Sequence, residues 1–244
     1  MKKASPTIVL FTVLLALFSN AISAQNIHGQ AIYQYKTTID LGNLGKRELS
    51  EQQKKIIASR MKHKLEKTYV LNFNESESVY SEEESRQGGG FQLMTSGSSY
   101  KTMYKSTKEK KVLIKQDFFG EAFLIDGSLA ELEWKKAEET KQIGEYTCNK
   151  ATALTNVTQA DGTSISMQVT AWYAKEIAVN QGPAEYWGLP GLILEINTDK
   201  ISIQCSKIIL NPSEETEIIK PSKGKKVTAS EYSDIVKKKL MEMQ

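Results

Sequence analysis

Between residues 165 and 173 the chain alternates. Ile165, Met167, Val169, Ala171 and Tyr173 are separated by Ser166, Gln168, Thr170 and Trp172. A repeat of two places one residue set on each face of an extended strand, whereas a helix would scatter the same residues around its circumference. The pattern recurs. Ala31, Tyr33 and Tyr35 point one way with Gln34 and Lys36 on the other, and Tyr69, Leu71 and Phe73 repeat the pattern around Val70 and Asn72. Further strands are expected at Val112 to Gln116, Phe118 to Asp126 and Tyr146 to Val157, and Leu132 to Trp134 is expected to extend the sheet. Asp126-Gly127 and Asp161-Gly162 read as turns, the latter closing a hairpin. Leu192 to Asn197 and Ile201 to Leu210 flank Thr198-Asp199-Lys200 as a second hairpin, with Ile201, Ile203, Cys205 and Ile209 on one face.

Helical spacing occurs in two places. Leu49, Ile56, Ile57, Met61 and Leu65 recur within Glu48 to Lys67, a run lacking Gly and Pro. Near the end, Thr228-Ala229-Ser230-Glu231 has the capping-box spacing, followed by an apolar stripe of Tyr232, Ile235, Val236 and Leu240. Ser76 to Ser85 is acidic and Ser-rich and precedes Gly88-Gly89-Gly90, which reads as a loop or irregular hairpin. The expected class is α+β, mostly antiparallel β: a curved sheet or incomplete β-barrel with a helix near each end of the mature chain.

The first residues specify compartment. Lys2 and Lys3 precede an apolar run from Ile8 to Phe18, and Ala21-Ile22-Ser23-Ala24 has small residues at the cleavage spacing. This predicts a signal peptide over residues 1–24, a mature start at Gln25 and a secreted or periplasmic protein. The run falls short of the ~20 residues of a membrane span, and no later apolar stretch is long enough for one, so no transmembrane segment is expected after signal removal. Roughly 220 residues remain, the size of one domain, taken as 25–244 with a helical insertion at 46–67 and a terminal helix at 228–241. The net charge of +3 falls to +1 without Lys2 and Lys3, and the remaining Lys and Glu are interleaved. Nucleic acid is therefore not an expected partner.

Chemistry is sparse. His28 and His63 are the two histidines, and neither lies in a metal-ligating or hydrolase motif. Cys148 and Cys205 are too far apart for a Cys-x-x-Cys site. In a secreted protein they are either a disulfide or two buried thiols. Methionines are scattered as packing material would be, so neither metal nor cofactor is assigned. Glu185, Glu195 and Asp126 lie near aromatic residues, an environment that can raise a carboxyl pKa. Trp172, Tyr186 and Trp187 are the candidate ligand contacts, since aromatics beside Gly-Pro turns can line a groove as well as fill a core. No catalytic residue is identified.

Beside them lies Gly188-Leu189-Pro190-Gly191-Leu192-Ile193, two glycines and a proline turning into an aliphatic run. With Trp134, Glu139 to Ala151, Ala171-Trp172-Tyr173-Ala174, Glu176-Ile177, Gly182-Pro183 and Tyr186, this ordered set resembles the GLPGLI family. The resemblance implies a secreted or periplasmic protein of Bacteroidetes type, often thought of alongside outer-membrane transport, with no established activity and no catalytic residues to transfer. Glu-Thr-Lys-x-Ile-Gly-x-Tyr-x-Cys is also similar to a motif of envelope β proteins of the lipoprotein-carrier type, which implies an incomplete barrel around helices holding an apolar ligand. The functional expectation is a non-enzymatic envelope protein binding an apolar or peptide-like ligand, or an outer-membrane partner. The alternatives are a secreted hydrolase using converging carboxylates and a metal or redox role for the two cysteines.

Overall fold

The structure is a computed structural model that describes residues 27–38, 50–53, 55, 56, 59, 65–83, 101–158, 163–214 and 217–242. The expected signal peptide over residues 1–24, the expected turn at Asp161-Gly162 and the glycine run at 88–90 lie outside the described residues.

Among the described residues twelve strands form one open sheet. In chain order they are β1 (Gly29–Thr37), β2 (Glu66–Phe73), β3 (Glu77–Glu82), β4 (Thr102–Ser106), β5 (Lys111–Phe118), β6 (Glu121–Ser128), β7 (Lys135–Ile143), β8 (Tyr146–Thr158), β9 (Ser164–Ala174), β10 (Leu192–Asn197), β11 (Ile201–Leu210) and β12 (Lys225–Thr228). The spatial order is β12-β6-β5-β4-β3-β2-β1-β11-β10-β9-β8-β7. Neighbours are antiparallel except β12, which runs parallel to β6. Helix α1 (Ala229–Met241) follows β12. Among the described residues no helix is long and apolar enough to cross a membrane.

Alternation places one side chain set on an inner face. Tyr33 lies opposite Tyr69, Leu71 opposite Tyr80, and Tyr80 opposite Met103. All five are at most 2 % exposed. They belong to one apolar cluster that continues through Ile203, Ile196 and Ala171 to Ile143. A fully buried Leu, Ile or Phe contributes about 1.5–3 kcal/mol, so burial along this face dominates the stability of the sheet. Covering the face is the β9–β10 connection, residues 175–191, whose Ile177, Val179, Ala184, Tyr186 and Leu189 join the same cluster. At the other end α1 lays Tyr232, Ile235 and Val236 against Phe118, Phe123 and Ile125.

Several sequence expectations change. Phe118 to Asp126 is two strands, because Phe119 (φ 49°) and Gly120 (φ 78°) make the left-handed pair that a tight hairpin requires. Asp126 and Gly127 then sit inside β6, opposite Leu113 and Val112, and are not a turn. Glu77 to Glu82, within the stretch expected as a loop or irregular hairpin, is β3 and pairs antiparallel with β2. Its hairpin with β2 is held by Asn74, whose Oδ1 accepts from the backbone N–H groups of Ser76 and Glu77 at 2.9 and 2.7 Å. Leu132 to Trp134 lies outside the strands, and β7 begins at Lys135. The first helical segment starts later than expected, at a reciprocal Ser50–Gln53 cap, and Glu66 and Lys67 belong to β2. In β11 the pairing with β1 skips Ser206. This bulge reverses the alternation, so Ile208 and Leu210 pack on the core while Ile209 is exposed.

The cysteines are free and buried. Cys148 is on β8 and Cys205 on β11, with β9 and β10 between them. Three strand spacings of about 4.8 Å exceed the reach of a disulfide by roughly twofold. No bridge joins them.

Candidate functional site

The 175–191 segment is shaped by its glycines. Gly188 has φ +90°, a conformation that costs a side chain of ordinary handedness. At Gly191 the constraint is contact: a Cβ there would lie 2.2 Å from the carbonyl oxygen of Ala174. The chain can therefore fold back against the end of β9. Leu192 N–H donates to Ile177 O at 3.0 Å and Ile193 N–H to Gln181 O at 3.0 Å, tying the segment to the start of β10. A bulge at Leu194 follows, where Ile193 pairs with Tyr173 and Glu195 with Trp172. Leu192, Ile193, Leu194 and Ile196 are consequently all fully buried, rather than split between two faces as simple alternation implies.

Polar side chains from the sheet hold this segment down. Lys105 on β4 is fully buried and donates from Nζ to Gly182 O at 2.6 Å and Tyr186 O at 3.3 Å. Ser78, opposite Lys105 on β3, donates to Gln181 Oε1 at 2.9 Å. Tyr33 donates its hydroxyl to Ile193 O at 2.7 Å. Removing the Lys105 ammonium from water lowers its pKa to about 7, and the neighbouring Glu185 only partly opposes this. Desolvation outweighs attraction here, which is the normal order for a buried lysine.

Glu185 is the exception in its stretch. From Gln181 to Trp187 every other residue is buried, while Glu185 is exposed. Ala184, with φ 48°, turns the chain so that this one side chain leaves the packed layer. Protein nevertheless surrounds the carboxyl closely enough to raise its pKa. Desolvation is the leading cause, opposed by its own backbone N–H and by Lys105. Its charge acts in turn on Tyr35, Tyr80 and Lys105. In the core, Tyr69 and Tyr80, each 2 % exposed, stack with ring centroids 4.6 Å apart, and Tyr35 meets Tyr69 edge-on at 5.8 Å. Lys67, opposite Tyr35 on β2, pairs with Glu82 at 3.0 Å. The Tyr80 hydroxyl and Gln181 Nε2 are buried and have no hydrogen-bond partner in the protein.

The aromatic residues singled out from sequence do not gather at one place. Tyr186 and Trp187 are buried in the covering segment. Trp187 donates Nε1–H to Ala130 O at 2.7 Å, and Trp134 donates Nε1–H to Trp187 O at 2.8 Å. Trp172 lies on the other face of β9 from Ala171 and Tyr173, with Lys141 Nζ 4.5 Å from its ring centroid. The three carboxylates also lie apart. Glu195 pairs with Lys141 at 2.6 Å and Asp126 with Lys111 at 3.2 Å, and Glu185 lies exposed on the covering segment. Burial pushes the Cys148 and Cys205 thiols up to about 11 and about 12, so both are protonated and poor nucleophiles at neutral pH. Among the described residues no group of three or more His, Cys, Asp or Glu side chains could hold a metal ion.

A family described as "Protein of unknown function (Porph_ging)" matches residues 134–168 and 158–195. The second stretch contains Gly188 to Ile193, so this match is compatible with the GLPGLI resemblance. Two solved structures of PNGF-II, in space groups C2 and P21, share the fold. Their TM-scores are 0.53 and 0.52 at 14 % identity, over 86 % of this chain. The chain spans about a third of theirs, 32 % and 33 %. No curated protein matches. The likeness to PNGF-II is one of fold, and β7 to β10 with the 175–191 segment is the part that the family match covers.

Lys105, Tyr35, Tyr69 and Tyr80 were not among the sequence candidates. Lys105 sits in a short strand with little alternation, and nothing local marks a lysine as buried. The tyrosines were visible as strand residues, but their convergence depends on β1, β2 and β3 being neighbours.

Proposed function

We propose that this chain is a non-enzymatic binding protein of the cell envelope, and that the surface around Glu185 takes a peptide-like ligand. The envelope assignment rests on the signal-peptide pattern of residues 1–24. The binding assignment rests on one observation: between Gln181 and Trp187 Glu185 alone is exposed, on a stretch that also carries the buried, unpartnered Gln181 Nε2. Buried polar groups without partners cost about 1–3 kcal/mol each, a cost that a polar ligand or an ordered water can offset.

A peptide-like ligand is favoured over an apolar one because the inner face is already covered. Tyr33, Leu71, Phe73 and Met103 are at most 2 % exposed beneath the chain's own segment. The lipoprotein-carrier likeness is therefore kept for the open, mostly antiparallel sheet and not for a lipid inside it. The hydrolase reading has one point in its favour, that Glu82 and Glu185 both act on Tyr80. Glu82, however, is held by Lys67, and a second carboxyl able to act as partner is what that reading needs.

Native mass spectrometry of protein isolated from the envelope fraction of its host tests the proposal. The expected result is a bound small molecule or peptide that is lost on denaturation and reduced in Glu185→Gln. Protein that carries no adduct and binds no member of a peptide library would contradict it.

A further inference from the structure

We propose that the β5–β6 hairpin tip and the lysines beside it dock the protein on an anionic lipid bilayer, with the Phe119 ring entering the headgroup boundary. This goes beyond the Glu185 reading and rests on different residues.

The tip departs from what a tight hairpin asks for. Phe118 pairs with Glu121, which leaves Phe119-Gly120 as the two-residue turn. Such a turn needs left-handed backbone and is ordinarily built from Asn-Gly or Asp-Gly. Here the first position is a phenylalanine at φ 49°, a strained conformation for a bulky side chain. The turn also sends the ring outward. Phe119 is 52 % exposed, and among the described residues it is the only exposed aromatic side chain. The fold requires neither cost, because an asparagine would satisfy the turn and tolerate water. Strain kept at one position points to a role for the side chain it carries.

The ring stands on a firm base. It meets Phe118 edge-on at a centroid distance of 4.7 Å, and Phe118 is itself buried, with the Tyr232 ring of α1 at 6.2 Å. An aromatic fixed in this way presents apolar area with little freedom left to lose on binding.

Cations lie beside it. Gly224 runs so close to the Ala122–Phe123 backbone that a Cβ there would be 2.9 Å from the Phe123 carbonyl carbon, which brings Lys223 and Lys225 alongside the tip. Lys225 sits opposite Phe123, its Nζ 3.9 Å from Glu121. Lys223, Lys225 and Lys226 are exposed, and so are Lys237, Lys238 and Lys239 at the end of α1, whose Ile235 and Val236 pack on the same Phe118–Phe123 cluster. Residues 223–239 thus set six lysines against Glu231 and Asp234, and Glu231 is taken up by the Thr228 cap. Asp117, beside the tip, is paired with Lys101 at 3.2 Å. An anionic bilayer matches both features at once: its surface potential attracts the lysines, and its headgroup boundary receives the ring. A soluble acidic partner would need a separate apolar pocket for Phe119.

The test is cosedimentation of the mature protein, beginning at Gln25, with vesicles of phosphatidylcholine alone and of phosphatidylcholine and phosphatidylglycerol in equal parts. Binding to the mixed vesicles at least roughly tenfold tighter than to the neutral ones is expected from several lysines at a charged surface. It should fall away at about 1 M salt, where charges are screened within ~3 Å. Phe119→Asn should weaken the binding roughly tenfold, the scale of one apolar side chain, while raising the urea midpoint, since Asn-Gly suits the turn. The double change Lys223→Gln and Lys226→Gln should weaken it by a similar factor and leave the midpoint unchanged. Equal binding to both kinds of vesicle, binding to neither, or undiminished binding by Phe119→Asn overturns the proposal. Capture by polyglutamate without binding to the mixed vesicles also overturns it and assigns the lysines to an acidic protein. None of these outcomes bears on the Glu185 ligand, which the native mass measurement decides.

Discussion

At the scale of single residues, two positions control whether the 175–191 segment can sit where it does. Gly191 approaches the backbone of Ala174 so closely that any Cβ would overlap it at 2.2 Å. The three nearest atoms all belong to the Ala174–Lys175 peptide, so no flexible side chain is there to give way. Gly191→Ala should therefore destabilise by about 3 kcal/mol or more, within the upper range for single substitutions, read as a lower urea midpoint at unchanged slope. A loss under about 1 kcal/mol, the scale of a surface change, would mean that the close approach is absent. Lys105 sets a pH dependence. Its folded pKa of about 7 lies below the ordinary 10.5, so between those values the unfolded chain binds the additional proton. Stability then rises with pH on its account, by at most about 1.4 kcal/mol per unit. Below pH 7 the cost of the buried ammonium is fully present. The Cys148 and Cys205 thiols, pushed up to about 11 and about 12 by burial, act oppositely once free cysteine begins to ionise at about pH 8.5, and Tyr33 and Tyr80, whose pKa values are also raised by burial, do so at about pH 10. Urea unfolding from about pH 7 to 8 isolates the lysine contribution. Lys105→Met should abolish the rise, and parallel profiles for the two proteins would refute the burial of Lys105.

At the scale of elements, legibility followed exposure. β2 and β9 were readable because at least part of each strand buries one face only, and Tyr69, Leu71 and Phe73 stand out against polar neighbours. β3 and β4 were not readable, since both faces are covered. Met103 and Lys105 meet the 175–191 segment side, while Tyr104 on the other face lies under Lys220, 4.6 Å from its ring centroid. Their burial is continuous, and alternation disappears. β7 failed for the opposite reason: as an edge strand it is almost wholly exposed, and its Lys and Glu residues serve to discourage further pairing. The bulges at Ser206 and Leu194 each reverse a face, and neither leaves a mark in the order of apolar residues. The helix cap, in contrast, is purely local. Thr228 Oγ1 accepts from the Glu231 N–H at 3.2 Å, and Glu231 accepts from the Thr228 N–H at 2.7 Å. Thr228→Ala should cost about 0.5–2 kcal/mol, seen as faster amide exchange through Ala229 to Tyr232. Exchange unchanged from wild type would mean that docking against Phe118 and Phe123 alone fixes the helix start.

For the whole molecule, an open sheet of twelve strands has to cover its inner face. This chain uses the segment that carries its most distinctive sequence motif. Gly188 and Gly191 shape the corner, Tyr186, Trp187 and Leu189 fill the core, and Lys105, Ser78 and Tyr33 anchor it from three strands. The motif thus reads physically as a self-supplied filling for the sheet. Sequence reasoning reached Glu185 as one of three carboxylates near aromatic residues. Choosing among them required knowing that Glu195 and Asp126 are paired with lysines on other parts of the sheet.

Carbodiimide footprinting of the native protein, read by peptide mass, tests this account most directly. The account predicts that Glu185 is labelled readily in the purified protein while Glu195, 8 % exposed and paired with Lys141, resists. Failure of Glu185 to react in the native protein, or labelling of Glu195 at the same rate, would contradict it.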